Sequence, residues 1–338
     1  MSDQSAREPA ASPRLLIAND GYTFDDLADI PHPNLAVTCI PDCSRERLLE
    51  LLPDFDAYMC SLRIPVDEAV LSRAGKLKLI ATPTTGTDHL ALDLIRARGI
   101  EVISIKDERA LLEELSATAE LAFGLVITCA RHLPECFEAT RQGRWERHKL
   151  SGTQLRGKTL GLIGLGRLGT MMARYGSAFG MNVLACDPDP ARRVEGVTKV
   201  DLDSLLRQSD FVSLHVHLTP ETQGLLSAGK LALMKEGSTL INTSRGGLVD
   251  ETALIREMKA GRIVAAGLDV IDGEWLENKT DHPLIAYSRV NPRLYICPHV
   301  GGTSPEATRL VARFVFEKVV QYFTPQRGGA GGGHERIA

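Results

Sequence analysis

The sequence has no apolar run long enough to cross a bilayer. Its most apolar window, residues 121–130, is half of the ~20 residues a membrane helix needs. It has no excess of one charge either. Lys and Arg number 39 against 43 Asp and Glu, for a net charge of −4. The basic residues are scattered, which argues against nucleic acid or an anionic membrane surface as the main partner. The first 13 residues are polar and rich in Ala, Ser and Pro, with no apolar core, so they do not read as a secretory signal. The seven cysteines lack paired spacing. Cys39 and Cys43 have a zinc-like gap without a second pair, so no metal site is expected. An odd count without a framework reads as reduced thiols, and a cytoplasmic protein is expected. Cys186 and Cys297 fall in apolar runs and are expected to be small core residues. No short-period repeat occurs.

What is present is an alternation. With 338 residues and 43% hydrophobic content, the chain suggests two domains with ordinary cores. Strand-like runs at 15–18, 36–40, 57–60, 79–81 and 102–105 alternate with helical segments at 45–52, 66–74 and 90–98. This predicts a small parallel α/β unit. A long, charge-poor helix is predicted at 116–131, closed by Pro134. A second series of six strands follows at 159–164, 182–186, 211–216, 239–243, 263–268 and 294–296. Its helices are expected at 168–179, 202–208, 228–234 and 251–260, the last capped by Asp250 and stopped by Gly261. A final helix at 306–323 is expected to return to the first domain. The tail from Arg327 is rich in glycine and is expected to be disordered.

The second series opens on Gly161-Leu-Ile-Gly-Leu-Gly-Arg-Leu-Gly169. It reads as a buried strand, a tight glycine turn and a helix. Gly164 permits the turn, Gly166 lets the backbone approach a pyrophosphate, and Gly169 lets helix and strand pack closely. The helix N-terminus offers N–H groups and a positive dipole end to phosphate. Asp187 stands 23 residues beyond Gly164, at the end of the next strand. That is where a carboxylate binds an adenosine ribose, and it favours NAD because a 2′-phosphate would be repelled.

Three polar residues follow late strands: Arg245, Glu274 and His299. Ligands of open α/β sheets bind outside the carboxyl ends of the strands. Arginine offers a fork that matches a carboxylate. Histidine exchanges a hydroxyl proton near neutral pH, and a carboxylate on its other nitrogen sets the tautomer. Taken singly, each residue is more commonly a surface or structural group. Their joint placement downstream of a nucleotide fingerprint points to chemistry on a 2-keto or 2-hydroxy acid. His215 and His217 are read as sharing one face of a strand. His89 follows a donor-rich turn. His32, His132, His148, His282 and His334 read as surface or packing residues.

Six motifs then carry a family resemblance: Gly86-Thr-Asp-His89, the stretch Leu155 to Gly169, Ser213 to Thr222, Asn242 to Asp250, Ala265 to Val270 and Pro298 to Gly302. From about Asp56 to Phe323 the chain resembles the D-isomer-specific 2-hydroxyacid dehydrogenases, in particular a phosphoglycerate-dehydrogenase-like branch. The resemblance implies two doubly wound parallel-sheet domains. A Rossmann NAD-binding domain (116–303) is inserted into a smaller flavodoxin-like substrate domain (14–115 plus 304–325), with disordered tails at 1–13 and 326–338. It implies NAD as cofactor, a small 2-keto or 2-hydroxy acid bound between the domains, and a homodimer through the NAD-binding domain. Arg245 would bind substrate, His299 would be the acid/base and Glu274 its partner. Cofactor contacts would come from Gly164, Gly166, Arg167, Leu168, Asp187, Val216, His217, Thr222, Thr243, Ser244, Asp269 and Gly302. Backbone amides around Thr85 and Gly86 would hold the substrate carboxylate.

The chain departs from the common pattern at four places. Leu121 stands where many members have His, while His217 and Trp275 each replace a common Pro. Cys60-Ser61 replaces an Arg-Ser of phosphoglycerate-using members, which speaks against a phosphorylated substrate because phosphate usually takes an arginine; Arg63 lies nearby. No regulatory domain is expected after the last helix. The same fold also serves NAD(H)-sensing corepressors, so a binding protein is the rival reading.

Overall fold

A computed structural model describes residues 12–19, 24–275 and 279–324. The expected tails lie outside these residues apart from Ser12 and Pro13, as does His334. Just before the first strand, the Pro13 carbonyl accepts the Ala36 amide at 2.9 Å. The described residues fall into two compact units, one running to Arg109 and resuming at Thr308, the other spanning Ala110–Ala307.

The first unit contains β1 (Arg14–Asn19), β2 (Ala36–Pro41), α1 (Arg45–Leu51), β3 (Ala57–Met59), α2 (Glu68–Arg73), β4 (Leu79–Ala81), α3 (Leu92–Ala97) and β5 (Glu101–Ile103). The strands pair in parallel in the order β2-β1-β3-β4-β5, the flavodoxin-like order. β3 and β4 are buried throughout, as continuous apolar runs covered on both faces must be. Ser44 and Asp67 cap α1 and α2 by accepting the amides of Arg47 and Val70.

The second unit begins with α4 (Arg109–Glu113), α5 (Ala117–Arg131) and α6 (Leu133–Arg141). β6 (Thr159–Ile163), α7 (Arg167–Ala178), β7 (Asn182–Cys186), β8 (Val197–Lys199), α8 (Leu202–Gln208) and β9 (Phe211–Leu214) follow. It closes with α9 (Ala228–Leu231), β10 (Ser238–Asn242), α10 (Glu251–Lys259), β11 (Ile263–Leu268), α11 (Pro283–Ser288) and β12 (Leu294–Ile296). The sheet order is β12-β11-β10-β9-β6-β7-β8, all parallel. Both units are therefore doubly wound parallel sheets, as expected. α12 (Pro305–Phe323) buries Val311, Ala312, Val315, Phe316 and Val319 on one stripe. Phe316 meets the rings of Phe24 and His32 edge-on, and Arg313 pairs with Asp29, so these residues of the helix complete the first unit.

Four expectations are corrected. The second sheet has seven strands, not six; β8 is three residues long, at an edge and only half-buried, so it carries no continuous apolar signal. Pro134 does not close α5, which ends at Arg131 with His132 in the left-handed region at φ 54°. Pro134 instead opens α6, where a missing N–H costs nothing. β9 stops at Leu214, so His215 and His217 lie beyond it and share no strand face. Cys186 and Cys297 are half-buried, whereas Cys43, Cys60 and Cys129 are the buried thiols. Asp250 does cap α10 through the Ala253 amide, and Gly261 follows with φ 79°.

Candidate active site

In the second unit the strand order reverses at β6, and the glycine turn leaves the sheet at that switch point. Gly164 has φ 95°, and a Cβ there would stand 2.4 Å from the His215 carbonyl oxygen. A Cβ on Gly169 would stand 2.1 Å from the Gly164 carbonyl, so the first turn of α7 rests directly on the glycine loop. Gly166 is the N-cap of α7 and supplies no capping side chain. The α7 amides are therefore left to a ligand, unlike those of α8 and α10, which aspartates cap. The nearest atom to a Cβ on Gly166 would be a guanidinium nitrogen of Arg192 at 3.0 Å. Free amides, a helix dipole and a cation at one place suit a pyrophosphate.

Asp187 follows β7. Its Oδ2 accepts the Leu165 amide at 2.7 Å and its Oδ1 the Asp189 amide at 2.9 Å. The carboxylate thus braces the glycine loop. Arg192 stands 3.8 Å away. Thr243 Oγ1 and His215 Nδ1 are among the buried polar atoms with no hydrogen-bond partner in the described residues. Burial depresses the His215 imidazole to about 4, so it is neutral at pH 7. The orphaned Thr243 hydroxyl follows β10, at the carboxyl edge of the same sheet as the glycine turn, where a bound dinucleotide could supply its partner. Gly302 has no crowding neighbour closer than 4.0 Å, Thr118 Oγ1.

Other expected cofactor residues have partners within the protein. The Arg167 guanidinium donates to the Leu115 carbonyl and is held below its ordinary pKa by burial. Leu168 packs on the core that α5 forms with β6 and β7. Val216 is half-buried over Gly164, and His217 is exposed. Thr222 Oγ1 donates to the His217 carbonyl at 2.6 Å and shapes that loop. Ser244 Oγ donates to the Leu214 carbonyl at 2.8 Å.

Arg245 follows β10 in extended backbone. The buried Asn242 side chain fastens its loop, accepting the Ser244 amide at 3.0 Å and donating to the Arg245 carbonyl at 2.8 Å. Gly246 then passes so close to the next loop that a Cβ would stand 2.1 Å from the Asp272 nitrogen and the Ile271 carbonyl carbon. Two residues beyond Asp272 is Glu274, whose Oε1 accepts from His299 Nδ1 at 2.8 Å. Both side chains are about one-sixth exposed. The bond orients the ring and leaves Nε2 as the edge that can exchange a proton.

His299 is one of three non-glycine residues with positive φ among those described, at 56°. The adjoining turn is held by Asp269, 1% exposed at the end of β11. Asp269 accepts the Val300 and Gly301 amides at 2.8 Å each, and its carbonyl accepts the His299 amide at 2.8 Å. Burial pushes the Asp269 carboxyl above its usual range, against the two amides that favour its charge.

Behind Glu274 lies a second carboxylate–histidine pair that sequence reasoning missed. Glu251 Oε1 accepts the Asp272 amide at 2.7 Å, and Glu251 Oε2 is 3.3 Å from His282 Nε2, which also lies 3.0 Å from the Asp272 carbonyl. Burial raises Glu251 to about 7. Asn242 and Gly246 lie in the motif Asn242 to Asp250, which does not say what they touch; the Glu251–His282 pair carries no motif, and only its neighbours in space reveal it.

In the first unit, Thr85 and Gly86 lie in the turn after β4. Thr84 Oγ1 donates to the Gly86 carbonyl at 2.7 Å and lies 2.8 Å from the buried Thr82 hydroxyl, which is 3.2 Å from His89 Nε2. This network shapes the turn from within.

Residues 123–301 match the family model described as D-isomer specific 2-hydroxyacid dehydrogenase, NAD binding domain. A hydroxypyruvate reductase of Thermotoga maritima is 35% identical over 275 residues, covering 81% of this chain and 87% of the relative. A D-3-phosphoglycerate dehydrogenase of Archaeoglobus fulgidus is 38% identical over 280 residues, 82% of this chain and 51% of the relative. The chain thus spans about half the length of that dehydrogenase. The crystal structure of a D-lactate dehydrogenase from Aquifex aeolicus, complexed with NAD and lactic acid, superposes with a TM-score of 0.77 at 29% identity, covering 91% of this chain and 95% of that one.

Proposed function

Since the chain belongs to the D-isomer-specific 2-hydroxyacid dehydrogenase family, an NAD-dependent oxidoreductase family, we propose that it interconverts a small 2-keto acid and its D-2-hydroxy acid with His299 as the acid/base. The observation that carries this reading is the 2.8 Å bond from His299 Nδ1 to Glu274 in a half-buried site at a strand end. Gly164, Gly166 and Asp187, with the Thr243 hydroxyl, would hold NAD, which when bound supplies or accepts a hydride. His299 Nε2 gives a proton to the carbonyl oxygen on reduction and takes it back on oxidation. Glu274 accepts the Nδ1–H hydrogen bond throughout and holds the ring's orientation. The Arg245 fork binds carboxylate and carbonyl oxygen and stabilises the charge that develops there.

The substrate is proposed to be unphosphorylated. The loop after β3 offers a buried Cys60 rather than an arginine, and the nearby Arg63 is paired with Asp42 at 3.4 Å. A homodimer through the second unit is proposed from its large exposed apolar side chains, Phe137, Trp145 and Phe179, of which Trp145 is 84% exposed. No helix among the described residues is long and apolar enough to cross a membrane.

The test is NADH oxidation with glyoxylate, hydroxypyruvate, pyruvate, bulky 2-keto acids and phosphohydroxypyruvate. Turnover is expected on at least one unphosphorylated acid. His299→Asn is expected to lose about 10²–10⁴-fold in kcat while binding NADH normally. Tight NADH binding with no turnover on any acid would favour the NAD(H)-sensing reading instead.

A further inference from the structure

We propose that Trp275 is a positioning residue for His299, gripping the imidazole by its face while Glu274 grips it by its edge. The proposal rests on the reading of His299 as the acid/base. The rings of Trp275 and His299 are stacked, with centroids 5.5 Å apart and planes inclined by 28°. The indole remains 39% exposed, so it does not serve as a core side chain. Among the described residues its one aromatic partner is the imidazole.

The physical case comes from degrees of freedom. One hydrogen bond at Nδ1 sets the distance and direction of a single ring atom. It still lets the imidazole rock about the N–O axis, and that motion swings Nε2. A face contact opposes that rocking. Because Glu274 and Trp275 are consecutive, one turn supplies both restraints, and movement of that turn would loosen both together. The backbone side is restrained as well: His299 sits at φ 56° in a turn held by Asp269. A left-handed residue of this kind persists only where its surroundings over-determine it. Proton transfer needs Nε2 within hydrogen-bond reach of the substrate oxygen, so rocking of the ring translates into lost turnover rather than lost binding.

Trp275→Ala, Trp275→Phe and His299→Asn test this in the full-length protein. Trp275→Ala is expected to lower kcat about tenfold, with KM for the keto acid within about twofold and NADH affinity by calorimetry unchanged. Trp275→Phe keeps a ring face and should recover kcat to within about threefold of wild type. The chain has two tryptophans, so the emission of wild type minus Trp275→Phe isolates Trp275 from Trp145. That difference emission, read at one pH, should rise when His299→Asn removes the stacked imidazole. A Trp275→Ala enzyme with wild-type kcat, or a difference emission that does not change in the His299→Asn background, overturns the role of the stack. A His299→Asn enzyme with wild-type turnover overturns the acid/base reading, and with it this proposal.

Discussion

Gly246→Ala should disable the site without touching a residue that contacts substrate or cofactor. Gly246 has no unusual backbone conformation that would exclude alanine; its φ is not positive. The obstacle is space. The new Cβ would stand 2.1 Å from the Asp272 nitrogen and the Ile271 carbonyl carbon, where real contacts do not fall below 3.0 Å. At least one backbone segment must retreat by about 0.9 Å, and neither obstacle is a flexible side-chain tip. If the loop of Gly246 moves, it carries Arg245. If the facing loop moves, it carries Asp272 and, two residues on, Glu274, and the 2.8 Å bond to His299 lengthens. In either case one half of the site shifts by about 1 Å, a displacement that can cost about 10²-fold in rate. Overpacking of this kind costs about 1–3 kcal/mol of stability. The glycine turn and Asp187 lie elsewhere on the sheet edge, so NADH affinity should change less than about threefold, far below the catalytic loss. Steady-state kinetics, calorimetric NADH binding and a melting curve on the same preparation read all three quantities. A folded Gly246→Ala protein with wild-type kcat/KM would refute the coupling of these two loops.

Glu251 should give the fold a pH dependence. Its pKa rises from 4.5 to about 7 on burial, so the native state binds more protons than the unfolded chain between those values. Stability is therefore greatest at the acid end of that window and falls as pH rises through about 7, by on the order of 3 kcal/mol. Glu251→Gln should flatten the fall in melting temperature between about pH 5 and 7.5, and an unchanged slope would count against the assignment. Asp187→Ala removes the acceptor of the Leu165 and Asp189 amides. It should weaken NADH binding about tenfold and narrow the preference over NADPH; unaltered NADH affinity would contradict the ribose role. Burial pushes the Cys60 thiol up to about 12 and raises Cys129 as well. In the native protein both should resist a thiol reagent that modifies the half-exposed Cys136, and peptide mapping showing Cys60 modified as fast as Cys136 would refute this.

Much of the fold was legible because its signals are local. Apolar runs marked eleven of the twelve strands among the described residues, most clearly the central ones, which are buried on both faces and need an unbroken apolar stretch. β8 escaped because its three residues, Val197-Thr-Lys199, include a single apolar side chain and form no run. Asp250 and Gly261 marked the ends of α10 by cap chemistry that acts within a turn. Pro134 misled because the same residue that cannot continue one helix suits the start of the next.

At the site, sequence alone determined which residue types follow which strands: the glycine turn, Asp187, Arg245, Glu274 and His299. A parallel sheet then places all those strand ends on one edge. Tertiary structure decided what holds them there. Asn242 fastens the Arg245 loop, the absent side chain of Gly246 lets two loops touch, and Asp269 pins the turn of His299. Glu274 and Trp275 take the edge and the face of the imidazole. Apart from the local Asn242 bond, these contacts join residues 24 and more positions apart. Their partners are chosen by how the strand-end loops fold over one another, and no local period or motif records that choice.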